Sequence, residues 1–364
     1  MTDQSTLVSP APAPLRRRLT HSAMSCARRC LRQFYYRYEL GLRGKREASA
    51  LRTGGAIHHG LELWSKGATP EAAVLAATEG YTTCPAWADP YDWSIERETV
   101  ANLLAGYFWR YGEVAMEYVE IEKPWVMPLG NPQTGRESRT YELAGKRDGI
   151  VRTQDGRLFV LERKTTGEEI GPDSDYWLRL RCDQQISLYV ISALQQGHDV
   201  SGVLYDVIRK PTIRPRQVPL LDEDGLKVVV DEQTGERIVN KDGKPRQSPG
   251  PGMKLAARPE SPEEYGSRLL GDIEERPDYY YQRREVPRLE DDLGECRLEC
   301  WQQAKLLSDC RRWGRWFRNV GRNTCSFCEY ANLCLQSITV DPEVPPDGFE
   351  IVSDVNPELS EGDE

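Results

Sequence analysis

The chain has 364 residues, 39% of them hydrophobic, with a formal net charge of -9 and ten cysteines. It is long enough for one large domain or two ordinary ones, and no stretch approaches the roughly 18 apolar residues of a transmembrane helix. Residues 1–20 are Pro-rich and then basic, without the apolar segment of a secretory signal, so the protein is expected to be soluble and cytoplasmic.

Residues 1–18 read as a flexible arm. Residues 16–46 carry ten bases against the single acid Glu39, a stripe that suits a phosphate backbone as well as a solvated helix face. A helix is expected from Ser22, with Cys26, Cys30 and Phe34 on one face, ending at Gly41 and Gly44. Gly54-Gly55 then open a second helix, Ala56 to about Lys66, with His58 in its first turn. Further helices are expected at 70–82 and 95–118. Glu120–Leu129, Arg139–Arg152 and Arg157–Lys164 read as three strands of an antiparallel meander, separated by good turn sequences. Asp183–Gln195 returns to helix, and Gly202–Arg209 is a fourth strand.

Residues 210–260, rich in turn residues and charge, read as a surface insertion. Helix resumes at Ser261-Pro262, and a long helix over 288–316 leads into a cysteine cluster. Residues 297–322 form a second basic stripe, with seven bases against Glu299 and Asp309. Residues 340–364 hold nine acids and no Lys or Arg; without them the body is neutral, with 48 acids and 48 bases. That tail is expected to be disordered.

Two constellations carry chemistry. Residues two apart on a strand face the same side, so Glu162 and Lys164 project together while Phe159 and Leu161 face the other way. Asp148 lies on the neighbouring strand. Two carboxylates and an ammonium gathered in this way suit metal-assisted phosphodiester hydrolysis: the carboxylates hold Mg²⁺ or Mn²⁺, and the lysine orients water and stabilises charge at phosphorus. The second constellation is Cys325-x2-Cys328-x5-Cys334. Its thiolates suit a [4Fe–4S] cluster or structural zinc, and the spacing alone does not separate the two. In a reducing compartment, cysteines grouped this way more often bind metal than form disulfides.

Gly54…His58 and Gln185-x3-Tyr189 complete an ordered set with Cys30, Asp148, Glu162…Lys164 and the cysteine triplet. In that order the chain resembles the RecB-like branch of the PD-(D/E)xK nuclease superfamily, and within it the CRISPR-associated and phage-borne exonucleases with an iron–sulfur cluster. The resemblance spans residues 20–335. It implies an α/β, restriction-endonuclease-like fold, with a mixed sheet flanked by helices and the terminal helical parts joined at the cluster. The implied domain covers 19–335: a helical part 19–118, a nuclease core 119–209, the insertion 210–260, and C-terminal helices with the cysteines at 261–335, before a tail at 336–364.

By the same resemblance His58, Asp148, Glu162 and the backbone carbonyl of Arg163 hold Mg²⁺ or Mn²⁺. Lys164, Gln185 and Tyr189 complete the catalytic set. Cys30, with Cys26 in reserve, joins Cys325, Cys328 and Cys334 on the cluster. The expected activity is a DNA exonuclease on single strands or ends, in recombination, repair or phage DNA processing, within a bacterial or phage-infected cell. A helicase or recombination protein is a candidate partner; no membrane is involved. Two departures stand out: Arg147 precedes Asp148 where the superfamily often has Pro, and His59 follows His58 where an acid is common. Two alternatives stay open: a non-catalytic DNA-binding or assembly module, and a zinc-stabilised restriction-type endonuclease.

Overall fold

Strand pairing in the middle of the chain sets the architecture. The computed structural model describes residues 16–114, 116–341 and 343–359. In chain order it runs β1 (Arg17–Leu19), α1 (His21–Arg29), α2 (Leu31–Phe34), a π-helical turn Tyr35–Glu39, and β2 (Leu42–Gly44). Three helices follow: α3 (Ser49–Ser65), α4 (Pro70–Glu79) and α5 (Pro90–Tyr111). Then come β3 (Glu117–Gly130), β4 (Glu137–Arg152), β5 (Leu158–Thr166), α6 (Asp175–Arg179), α7 (Gln184–Gln195) and β6 (Val200–Arg209). Residues 210–260 hold two small antiparallel ribbons: β7 (Gln217–Pro219) with β10 (Ala257–Pro259), and β8 (Val229–Asp231) with β9 (Met253–Leu255). The chain continues through α8 (Pro262–Glu275), α9 (Pro277–Tyr280), β11 (Tyr281–Val286), α10 (Glu290–Trp313), α11 (Arg322–Cys325), α12 (Ala331–Leu335) and β12 (Phe349–Ile351).

The central sheet has six strands. β3, β4 and β5 form the antiparallel meander, and β6 joins β5 in parallel after the α6–α7 crossover. β11 closes one edge, antiparallel to β6. The long β4 gives residues 149–152 to β5 and residues 141–143 to β1, which lies parallel to it. The fold is therefore mixed α/β with a mixed central sheet. One apolar cluster joins α1, α7 and α10 to the sheet through Leu19, Trp125, Ile150, Val160, Val203 and Leu307. A second packs α3, α4, α5 and α8 against Ile208 and Tyr281.

The helix starts follow from local capping. Thr20, Thr69, Asp89, Asp183 and Ser261 each accept a backbone N–H at the start of α1, α4, α5, α7 and α8, and Ser261 with Glu264 forms a reciprocal capping box. α10 ends at Gly314, whose φ of 61° is left-handed. No helix among the described residues is long and apolar enough to cross a membrane.

The structure departs from the sequence reading at several points. Of the expected arm, residues 1–15 lie outside the described residues, and Arg17–Leu19 is a strand because Leu19 buries into the main cluster. α3 starts at Ser49 and runs through Gly54-Gly55, so His58 sits in its middle. α5 stops at Tyr111, and Glu117 already belongs to β3. The first helix breaks at Cys30, which is extended (φ -165°, ψ 119°). Tyr279–Tyr281 lead into the edge strand β11, which was not expected, and Tyr280 and Tyr281 are buried. Trp316 is likewise buried, stacked 5.6 Å from Phe34. Cys182 is exposed.

The tail differs most. Phe349–Ile351 pairs antiparallel with Leu42–Gly44, and Phe349 stacks 5.8 Å from Tyr330. The acidic composition conceals two apolar residues, two apart, that face a small cluster with Tyr36, Leu42, Tyr330 and Leu333. Residues 360–364 of the tail lie outside the described residues.

Candidate active site

β4 and β5 place the acidic residues. In the register Gly149↔Leu161, Asp148 lies beside the β5 segment carrying Glu162, Arg163 and Lys164. The Arg163 N–H donates to Asp148 Oδ2 at 2.6 Å, which fixes the aspartate against β5. Glu162 and Lys164 share a face, and Lys164 Nζ lies 2.5 Å from Glu162 Oε1. From α3, His58 Nδ1 stands 4.0 Å from Asp148 Oδ2. Gln185 Nε2 donates to Tyr189 OH at 2.8 Å one turn along α7, and both residues line a cavity of about 270 Å³ with Asp148.

Arg163 faces the opposite way from its neighbours, as strand alternation requires. Its guanidinium reaches Leu61 O (3.3 Å) and Ser65 Oγ (2.8 Å) near the end of α3, and Tyr118 OH (2.8 Å). The same residue thus pins Asp148 through its backbone and the His58 helix through its side chain. Arg147, in place of proline, is fully buried: it donates to Ser192 Oγ at 2.8 Å and Glu120 Oε2 at 2.7 Å, and also bonds Gln196. It ties the strand of Asp148 to the helix of Gln185 and Tyr189.

Electrostatics follow from burial. Glu162 is 1% exposed, and burial first, then the nearby Asp148, push its carboxyl up to about 8 against the pull of Lys164. Burial holds the Lys164 ammonium down, but Glu162 and Asp148 outweigh it and raise its pKa. The His58 imidazole is lowered, chiefly by burial. The Tyr189 phenol is pushed well above its ordinary value, again by burial first.

Glu162 Oε2 is buried without a hydrogen-bond partner, an orphan acceptor that a cation would satisfy. The donor set (two carboxylates, an imidazole and a backbone carbonyl) fits Mg²⁺ or Mn²⁺ in kind. Among the described residues, no three His, Cys, Asp or Glu side chains already stand in a metal-holding geometry.

Sequence reasoning missed Glu122, Lys146, His21 and Trp125, which share the cavity wall with Asp148. Glu122 has a φ of 48°, rare for a residue with a Cβ, and its carboxylate lies 2.8 Å from Lys146 Nζ. Burial, then Asp148, raise its carboxyl to about 7. The signal for Glu122 was weak, because Glu120-Ile-Glu122-Lys123 reads as an ordinary solvated strand.

At the other constellation, Cys30, Cys325, Cys328 and Cys334 line one small cavity. The Asn319 N–H donates to Cys30 Sγ at 3.4 Å, and Arg318 Nε to Cys334 Sγ at 3.3 Å. Cys26 is buried in the main cluster, and burial pushes its thiol up to about 11.

A family model described as the PD-(D/E)XK nuclease superfamily matches residues 18–335. The chain belongs to that superfamily. A PD-(D/E)XK protein is a nuclease acting on DNA, and members of the superfamily usually use Mg²⁺ or Mn²⁺. A solved structure titled "Crystal structure of SSO0001" is 13% identical over 78% of this chain and 84% of its own, with a TM-score of 0.26. That likeness carries no argument. No curated protein matches the chain significantly.

Proposed function

We propose that this PD-(D/E)XK protein is a metal-dependent DNA exonuclease acting on single strands or DNA ends, in recombination, repair or phage DNA processing. The observation that carries the reading is the buried, unpartnered Glu162 Oε2 beside Asp148, His58 and Lys164. Asp148, Glu162, His58 and the Arg163 carbonyl hold Mg²⁺ or Mn²⁺. When bound, the cation polarises the scissile phosphate and lowers the pKa of water.

The chain's own residues do the rest. Lys164, held 2.5 Å from Glu162 Oε1, orients the attacking water and faces the charge that grows on the phosphate oxygens. Asp148, fixed by the Arg163 N–H, cannot swing away from the phosphate. Gln185 and Tyr189 line the entry cavity and contact the strand; burial keeps the Tyr189 hydroxyl a donor at any ordinary pH.

We assign Cys30, Cys325, Cys328 and Cys334 to a [4Fe–4S] cluster with a structural role, tying the C-terminal segment to α1 and α2; zinc is the alternative occupant. Support comes from the shared cavity and from two N–H donors aimed at its sulfurs, which suit thiolate charge. A helicase or recombination protein is the natural partner for such an enzyme, and the cytoplasm its natural place.

Two measurements test the reading. Anaerobically purified protein should carry about four irons and four sulfides per chain, and digest end-labelled single strands to mononucleotides or short oligonucleotides. Zinc in place of iron, with discrete fragments from duplex DNA, would favour a restriction-type endonuclease instead.

A further inference from the structure

The acidic tail is where the structure departs furthest from the sequence reading, and its course is specific. Residues 343–359 contain Glu343, Asp347, Glu350, Asp354 and Glu358 and no Lys or Arg. β12 anchors the segment on β2, with Phe349 opposite Gly44 and Ile351 opposite Leu42. The Val352 N–H then bonds Gly41 O at 2.9 Å, and Arg43 Nη2 bonds Val355 O at 2.8 Å. Gly41 has a φ of 67°, and a Cβ there would meet Val352 O at 2.3 Å, so only glycine admits the tail at this point.

Beyond the anchor, Ser353–Asn356 wall a cavity of about 560 Å³ whose other walls include Arg16, Arg17, Arg18 and Arg311. The short turn Pro357–Leu359 then packs on β4. There Glu358 lines the active-site cavity together with Asp148, Gln185 and Tyr189. A segment carrying Asp354 and Glu358 therefore runs from a wall of arginines to the edge of the candidate catalytic carboxylates. Arg16 pairs with Glu137, Arg18 with Glu142, and Arg17 and Arg311 with Glu39, and the phosphates of a DNA strand would compete for the same guanidiniums. At its far end Glu358 joins Glu122 and Asp148 on a wall that also holds Lys146 and His21.

We propose that Arg16, Arg17, Arg18, Arg311 and the active-site cavity form one track for a single DNA strand. In the free protein, segment 353–359 occupies this track as an intramolecular competitor that the strand must displace. The inference rests on the DNA reading above, so its test reads binding and not cleavage.

The probe is a fluorescent single-stranded oligonucleotide, followed by anisotropy in EDTA. Full-length protein is compared with the full-length double variant Asp354→Asn/Glu358→Gln and with a chain ending at Ser353, which keeps β12. If the segment competes, the apparent Kd is raised by the fraction of molecules in which the track is closed. Both variants should then bind about five- to tenfold more tightly than the full-length protein. Arg17→Glu added to the shortened chain should reverse the gain. Should shortening unfold the chain, the double variant decides alone.

Equal affinity in folded wild-type and variant proteins overturns the competitor while leaving the nuclease reading intact. No binding by any form, with metal-dependent cleavage also absent, overturns both. Tighter binding that survives Arg17→Glu overturns the proposed track.

Discussion

Replacing Arg147 by methionine tests whether one buried cation holds the Asp148 strand to the Gln185–Tyr189 helix. The guanidinium is fully buried and donates to Glu120 on β3 and to Ser192 and Gln196 at the end of α7 and just past it. Methionine keeps most of the volume, so the loss is electrostatic and not a cavity. Removing one partner of a buried pair costs about 3–5 kcal/mol. Glu120 keeps Lys123 at 2.6 Å and His198 at 3.0 Å, and Ser192 keeps its bond to Tyr189 O, so the lower end applies.

Urea unfolding of Arg147→Met should therefore show a loss of about 3 kcal/mol, a midpoint shift of about 1 M at an m-value near 3 kcal/mol/M. Lysine, with one compact ammonium in place of a fork, should recover only part of this. In a cycle with Glu120→Gln the two losses should fall short of additive by about 1–2 kcal/mol, because either single change already removes the shared Arg147–Glu120 pair. A change below about 0.5 kcal/mol in Arg147→Met, or simple additivity, would show that the pair does not clamp the sheet to α7.

Four further outcomes are expected. Burial draws the Glu120 carboxyl upward, but Lys123 and Arg147 outweigh it and hold it below its ordinary value. Its stabilising contribution is thus fully present above the unfolded pKa of about 4.3 and lost as pH falls through the lower folded value, so urea midpoints should drop less steeply on acidification in Glu120→Gln than in wild type. Arg163→Met leaves the backbone bond to Asp148 but frees α3; hydrogen exchange should rise around Leu61–Ser65, with a lower kcat. Gly41→Ala forces a Cβ onto Val352 O at a left-handed position and should cost more than about 1 kcal/mol, with faster proteolysis confined to the tail. Cys30→Ser, or a chelator directed at the proposed cluster, should lower Tm and loosen 315–335 without shifting the metal dependence of cleavage by correctly folded protein.

The β3–β4–β5 meander was legible because its strands alternate and its turns, Asn131–Gly135 and Gln154–Gly156, carry turn residues. The Asp148–Glu162–Lys164 grouping followed from that pairing alone. The start of α3 was not legible: Ala48 offers no capping side chain, and Gly54-Gly55 reads as a boundary when the helix passes through it. β11 was hidden because Tyr279-Tyr280-Tyr281 followed by charge has no clear period, and its pairing is set by β6. Arg147 looked like a tolerated departure from proline, and its buried network became visible only once α7 was placed across β4. The tail failed for a compositional reason: nine acids outweighed Phe349 and Ile351, whose partners lie on β2 and on Tyr330, far away in sequence.

The measurement closest to the central claim is single-turnover digestion of end-labelled single-stranded DNA by wild type and Lys164→Ala, each with Mn²⁺, Mg²⁺ or EDTA. The account predicts cleavage by wild type with either cation, none in EDTA, and a loss of at least about a hundredfold in the variant at unchanged DNA affinity. Equal cleavage by both proteins, or cleavage that persists in EDTA, would contradict it.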